Sequence, residues 1–551
     1  MLKNIIEKIE NQEMTISQWI LGFTGILFVR FLFDSISSPS AGGLIPSDPY
    51  TLVHYGLFFL SVVLGTACIV GYFCGEYKNL MKIVLFGLPV IWVAPLIDII
   101  LSGGHGYKLT YIFDTGTKLL SDFLTFFGPK LTSGATYGIR VEILLILVGV
   151  GYYIWLKTKS TGKTILGIFS VYVLGFIMAS IPGLLYTFFQ CFHTGCGNVV
   201  DTIQFFENLV THSNIFHNTL HEGVASMSNI RFFELGFNKL LSQILFIISF
   251  IFGGVLLWKI DREKFLAVMK NMRLERISSY IALLLCGAGF AYINKLGNYF
   301  IWVDLLGIIC LIISWIALWM QAVHTNDIAD VEIDKISNID RPLIKKEVSR
   351  DDMHQIGFIW LIVALLGSWS VGFYPFFMSL VYLACSYIYS SPPLRLRRFP
   401  VIPSFLIGVA SLATILAGFF FVSTNKQIQT FPTILAVGIV IMVTLAINVK
   451  DMKDIDGDRA DGILSLPVLF GQKGVKITAL CFALSFLLVP VFLSFYALYI
   501  FALPSAIIGY RLVTKTPYSE KPLFILRFVF LGCVALSYLG IYWLAYLYKI
   551  I

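Results

Sequence analysis

Long uninterrupted apolar runs alternate with short polar stretches along this chain. Residues 51–75, 165–189 and 402–422 are examples, each near the ~20 residues a helix needs to cross a hydrocarbon core of about 30 Å. Backbone groups in lipid must satisfy one another, and runs of this length fit helices rather than the shorter strands of a barrel. Fifteen such spans are predicted. Six lie near 18–34, 50–75, 80–102, 138–157, 163–190 and 235–258. Nine more lie near 278–297, 301–323, 355–373, 375–391, 402–422, 430–449, 474–490, 492–512 and 524–547. The pattern predicts an all-α, polytopic membrane protein of about 15 transmembrane helices.

Composition agrees. Of 551 residues, 57% are hydrophobic and 13% charged, against about 25% charged in soluble domains. The net charge of +8 is modest and is accounted for by loops, so no nucleic-acid partner is expected. Residues 1–18 are mixed in charge, and 19–33 read as an uncleaved first span rather than a signal peptide. The stretch 259–276 carries Lys259, Arg262, Lys264, Lys270, Arg273 and Arg276. It is the expected linker between a six-span domain, 1–258, and a second domain, 277–551. If it is cytoplasmic, the same side also holds Lys335, Arg341, Lys345, Arg395, Arg397, Arg398 and Lys450, while the opposite side of that half holds only Lys295, Lys426 and Lys549.

Acidic residues are concentrated beside two spans: 324–354 and 450–461 hold 13 of the 32. A carboxylate placed mid-membrane costs roughly 2.5–3.5 kcal/mol on insertion scales, so two clusters at the membrane suggest a compensating cation. Asn326, Asp330 and Asp334 are spaced by four, and Asp451, Asp454 and Asp458 by three and four. If each span continues into its cluster, each set shares one helical face. Two opposed faces would supply the hard oxygen ligands that Mg²⁺ takes, with substrate phosphates completing the shell. The competing reading is a pair of solvated acidic loops. Between the clusters, Pro392-Pro393 ends a helix and Arg395, Arg397 and Arg398 follow. Arginine grips phosphate bidentately, although positive-inside anchoring also explains these residues. Arg341-Pro342 is another candidate phosphate contact.

The order Asn326-Asp327-x-x-Asp330-x-x-x-Asp334 with Arg341-Pro342 resembles the first motif of the UbiA superfamily of intramembrane prenyltransferases. Tyr389-Ser390-x-Pro392-Pro393-Leu394-Arg395-Leu396-Arg397 is similar to its middle tyrosine and basic segment. Lys450-Asp451-x-x-Asp454-x-x-Gly457-Asp458, running on to Leu466-Pro467-Val468, is similar to its second motif. The resemblance covers about residues 275–551 and implies a nine-helix UbiA-like bundle. It implies that Asn326, Asp330, Asp334, Asp451, Asp454 and Asp458 bind Mg²⁺, or Mn²⁺, with the diphosphate. Arg341, Arg395, Arg397 and Lys450 then neutralise the diphosphate, and Asp330, Asp454, Tyr389 and Arg395 are the implied catalytic set. Tyr389 would shape the pocket or stabilise an allylic cation. The implied partners are a polyprenyl diphosphate donor, a lipid or aromatic acceptor, and the membrane. The implied active site faces the cytoplasm. Members acting on aromatic acids usually carry an arginine-proline pair entering their first helix. Here Arg273-Leu274-Glu275-Arg276 has no proline, which leaves the acceptor open. The motif wording is nearer to members acting on glycerol-phosphate lipids, chlorophyllides or homogentisate than to haem-farnesylating ones.

Residues 1–258 show no family resemblance. Arg30, Asp34, Asp98, Arg140 and Glu142 fall near the outer ends of their spans, where they either line a polar cavity or form interfacial ion pairs. Cys191 and Cys196 share a polar loop and would form a disulfide in an oxidising compartment. His217 and His221, in the same loop, have helical metal-ligand spacing, a weak signal alone. The other seven cysteines lie in apolar runs as small hydrophobes. Two alternatives stand beside the enzyme. A transporter or channel would place acids deep within spans and pair broken helices, whereas these acids lie at helix ends beside a basic loop. A catalytically silent scaffold would have no need of intact motifs.

Overall fold

The computed structural model describes residues 2–37, 49–103, 110–128, 135–191, 195–215, 229–294, 296–297 and 300–550. No β-strand forms among them. Fifteen helices are long and apolar enough to cross a membrane, as the run lengths predict. They are α1 (Ile16–Ser37), α2 (Pro49–Cys74), α3 (Lys78–Leu101), α4 (Tyr137–Thr158), α5 (Thr161–Ala179), α6 (Phe233–Ile260), α7 (Leu274–Ile293), α8 (Trp302–Ala329), α9 (Arg350–Val371), α10 (Phe373–Ser390), α11 (Ile402–Val422), α12 (Thr433–Met452), α13 (Gln472–Phe492), α14 (Tyr496–Thr514) and α15 (Lys521–Gly540). The protein is an integral, multi-pass membrane protein. Two compact units divide between Phe265 and Leu266, with Ile301–Leu306 belonging to the first.

In the first unit, Trp19, Phe23, Leu27 and Phe31 recur every four residues on α1 and so share one buried face. That face meets Tyr55, Phe59 and Val63 of α2, which are spaced the same way. Pro89 cannot donate a backbone hydrogen bond, and α3 tightens there into a 3₁₀ turn over Leu88–Trp92. The ionisable residues anticipated at the outer ends of these spans are drawn inward. Arg30 Nε lies 2.8 Å from Asp34 Oδ2 and Nη1 lies 2.5 Å from Glu142 Oε2. Asp98 instead accepts hydrogen bonds from Thr136 Oγ1 and the Gly138 amide. Arg140 bonds the carbonyls of Ala135 and Phe127. Cys191 and Cys196 are joined by a disulfide. His217 and His221 lie outside the described residues.

In the second unit α11 is the hub, with α7, α10 and α12 packed on it and α13 and α14 continuing from α12. Its enclosure follows from small residues. A Cβ on Gly287 of α7 would strike the Ile415 carbonyl, and one on Gly418 of α11 would strike the Leu284 carbonyl. Each glycine therefore lets the opposite backbone approach, the usual route to tight association where lipid tails compete for apolar surface. The basic stretch before α7 is largely ordered: Arg262–Lys270 is helical, and Arg273 takes a left-handed turn (φ 55°) into α7. The spans α8, α10 and α12 end in short polar segments, and these segments meet.

Candidate active site

The first acidic stretch keeps helical register across a break. α8 stops at Ala329, Asp330 caps a second helix, Val331–Ser337, and the four-residue hydrogen bonds persist. Asp330 N bonds Asn326 O, Asp334 N bonds Asp330 O and Asn338 N bonds Asp334 O, each at 2.9 Å. Asn326, Asp330, Asp334 and Asn338 thus form a ladder, with Asn326 Nδ2 donating to Asp330 Oδ2 at 2.7 Å and Asn338 Nδ2 to Asp334 Oδ1 at 2.9 Å. The second stretch is more broken. A 3₁₀ turn over Asn448–Met452 carries Asp451, and Asp454 caps the helix Ile455–Ala460 that carries Asp458. The two short helices pack on each other. Asn338 Nδ2 also donates to Asp454 Oδ1 at 3.3 Å, so one amide spans both stretches.

The basic loop closes over this pair. Arg395 Nη2 lies 3.2 Å from Asp330 Oδ1 and 3.0 Å from Asp461 Oδ2. Arg397 pairs with the other oxygen of Asp330 and comes within 3.6 Å of Asp458 Oδ1. Lys450 Nζ donates to Asp451 at 2.5 Å and to the Tyr389 hydroxyl at 3.1 Å. Arg341 turns toward the first stretch, 3.9 Å from Asp334 and 3.7 Å from Asp327. The residues singled out in the sequence therefore gather at one end of this unit.

Several partners were given no role from the sequence. Asp327, 1% exposed, accepts from Asn271 Nδ2 and Arg273 Nη2, both at 2.7 Å. Its oxygens are committed to protein donors, so it anchors the stretch rather than facing the centre. Asn338 and Asp461 were also missed. Asn338 was legible, because it continues the four-residue spacing beyond Asp334. Nothing local marks Asn271, which comes from a distant segment.

Charge in this cluster is unbalanced. Asp327, Asp330, Asp334, Asp451, Asp454, Asp458 and Asp461 share Arg273, Arg341, Arg395, Arg397 and Lys450. Burial, then the nearby Asp327 charge, pushes the Asp334 carboxyl up to about 7. Burial, then Asp451, pushes Asp458 up to about 6. Asp458 Oδ1 is buried without a hydrogen bond. Hard oxygen donors with too little positive charge fit a divalent cation in kind. Among the described residues, however, no three carboxylate, histidine or cysteine groups converge as they stand; the arginines lie between them. The space beside Tyr389, Arg397, Lys450, Asp451 and Asp458 is about 20 Å³, room for about one water.

Residues 282–534 match the sequence profile of the UbiA prenyltransferase family. Over this stretch the chain is similar to that family. The chain is 32% identical over 182 residues to naringenin 8-dimethylallyltransferase 2 of Sophora flavescens, a match covering 31% of this chain and 44% of that protein. It is 30% identical over 206 residues to chlorophyll synthase of Oryza sativa subsp. japonica, covering 35% and 52%. With digeranylgeranylglyceryl phosphate synthase of Methanocaldococcus jannaschii the identity is 26% over 165 residues, covering 30% and 56%. The chain thus spans about half the length of the curated relatives it matches. Among solved structures, a UbiA homologue from Archaeoglobus fulgidus bound to GPP and Mg²⁺ aligns at 16% identity with a TM-score of 0.39, over 49% of this chain and 97% of that one. Both acidic stretches and the basic loop fall inside the UbiA match.

Proposed function

We propose that this protein is a prenyltransferase that moves an isoprenyl group from a polyprenyl diphosphate to a lipid or aromatic acceptor. We further propose that it requires Mg²⁺ and that its active site lies on the cytoplasmic side. The observation that carries the reading is the Asn338 amide reaching both Asp334 and Asp454, which ties the two acidic stretches into one centre. The curated relatives are named for aromatic, chlorophyll and glycerol-phosphate lipid prenylation; they support the reaction class and leave the acceptor open.

In this reading Asn326, Asp330, Asp334, Asp451, Asp454 and Asp458 would hold the cation, which would offset the charge gathering on the leaving diphosphate. Arg341, Arg395, Arg397 and Lys450 bind the phosphate oxygens. Arg395 and Arg397 now have Asp330 as counter-ion and exchange it for the substrate. That exchange also opens the centre, which is too tight for a diphosphate as it stands. The stabilised leaving group lets the allylic C–O bond break, and an acceptor nucleophile captures the carbocation. Tyr389, oriented by Lys450, flanks the cation, and a dry intramembrane cavity keeps water from quenching it. Residues 277–551 form the catalytic domain, 259–276 a cytoplasmic linker, and 1–258 an accessory domain.

The test is turnover of labelled geranylgeranyl diphosphate by the purified full-length protein, with geranylgeranylglyceryl phosphate, a chlorophyllide and homogentisate as acceptors. Prenylated product that disappears on chelation and returns with Mg²⁺ supports the proposal. No product from any acceptor, together with no diphosphate binding, refutes it.

A further inference from the structure

The first unit contains a cavity of about 410 Å³, lined by no residue of either acidic stretch. Its wall runs from Tyr55 to Val70 on α2 and from Ile139 to Tyr153 on α4, about 20 Å at 1.5 Å per residue. The volume lies in the range of small-molecule sites, about 300–1,000 Å³. Spread over that length, it makes a long narrow slot. Three glycines form part of the wall: Gly87 on α3, Gly149 on α4 and Gly175 on α5. A Cβ on any of them would find no atom within 4 Å. Gly149 and Gly175 lie in helix interiors, where glycine costs about 1 kcal/mol relative to alanine, and here no tight helix crossing compensates for it. What the three glycines supply is space.

The slot opens toward lipid. Wall residues Gly87, Leu145 and Gly149 are exposed, and beside them stand Phe86, Leu144 and Val148, exposed apolar side chains on the same spans. An apolar slot reached from a bilayer gains little by burying more hydrocarbon, because lipid tails are as apolar as its walls. Selectivity must come from its polar end. There the charged wall residues are Arg30 and Glu142, and Asp34 also claims the guanidinium. Arg30 Nη1 also donates to the Ile91 carbonyl, and two carboxylates on one arginine repel a phosphate or diphosphate, which favours an uncharged head group.

We infer that the first unit binds a single-chain lipid with an uncharged hydrogen-bonding head group, the chain in the glycine-walled slot and the head at the Arg30–Glu142 pair. This site is independent of the activity proposed for the UbiA-like stretch. The experiment uses full-length protein in nanodiscs and diazirine analogues of geranylgeraniol, monopalmitoylglycerol and geranylgeranyl diphosphate, with labelled peptides mapped by mass spectrometry. A neutral probe labels residues on α2 or α4, and Gly149→Leu and Gly175→Leu each cut that labelling at least tenfold at an unchanged melting midpoint. Leu145→Trp, which blocks the mouth and leaves the wall glycines in place, does the same and serves if a glycine variant misfolds. Asp330→Asn leaves the labelling unchanged. Stronger labelling by the prenyl alcohol identifies an isoprenoid occupant, and stronger labelling by the monoacylglycerol a glycerolipid. Undiminished labelling in all three variants overturns the inference, as does diphosphate labelling of the slot equal to that of the alcohol.

Discussion

Replacing Asp330 with asparagine preserves the shape of the side chain and removes its charge. Asp330 is 3% exposed and holds Arg395, Arg397 and Asn326. An asparagine carbonyl still accepts from Asn326. Arg395 keeps Asp461 at 3.0 Å and Arg397 keeps Asp458 at 3.6 Å, so neither arginine is stranded as after loss of a sole buried partner, which costs about 3–5 kcal/mol. The stability loss is therefore set at about 1.5–3 kcal/mol, the scale of a hydrogen bond to a charged group. Catalysis suffers more. A preorganised group acting on developing charge contributes about 10²–10³ in kcat, or 2.7–4 kcal/mol, and a misplaced cation adds to that loss. Asp454→Asn is expected to behave alike, because the Asn338 bridge tolerates an amide partner. Product formation from labelled geranylgeranyl diphosphate is read beside the melting midpoint, with and without chelator. Both variants should stay folded and lose turnover at least a hundredfold. Wild-type turnover in both, or after chelation, would refute the two-stretch metal centre.

Asp327→Ala should instead act on stability, by about 3 kcal/mol, because it strands Asn271 and Arg273; a melting midpoint equal to wild type would remove its anchoring role. Burial and neighbouring carboxylates raise Asp334 and Asp458 to about 7 and about 6 from the ordinary carboxylate value of 3.8, so the folded state holds these protons more tightly than the unfolded chain. The stability they contribute is complete below about 4 and is lost as pH rises through about 7. Metal-free protein should therefore melt higher at pH 5.5 than at pH 8, with Mg²⁺ stabilising more at pH 8, and calorimetry showing the reverse order would contradict the assignment. Single cysteines at Arg395, Asp330 and Asp454 should resist a membrane-impermeant thiol reagent on intact cells, while cysteines within 191–233 react; the opposite pattern inverts the topology. Residues 270–551 alone, which retain Asn271 and Arg273, should bind diphosphate and keep some prenyl transfer. A folded fragment that binds diphosphate yet transfers to no acceptor used by the full chain would mean the first six spans complete the acceptor pocket.

Sequence by itself determined the all-helical membrane class and the count of spans. Both follow from local properties, run length and the need of backbone groups in lipid to satisfy themselves. It also marked the acids and arginines that cluster at the ends of α8, α10 and α12, because a charge beside a bilayer is costly enough to stand out residue by residue. The ladder from Asn326 to Asp334 was legible because backbone bonds four residues apart carry it across the break at Asp330. The second stretch was less so, since the turn at Asp451 and the cap at Asp454 divide it. Tertiary structure alone decided the rest. Asp327 became an anchor because Asn271 and Arg273 approach from 54 or more residues away. Arg395 and Arg397 reach Asp330 from more than 60 residues away, and nothing local chooses between that carboxylate and a lipid phosphate. Arg30 and Glu142, 112 residues apart, read separately as span-end charges and together as the polar end of a slot. Whether a glycine serves a close crossing, as at Gly418, or an empty wall, as at Gly149, depends on what the other helices bring against it. A missing side chain carries no record of its neighbour.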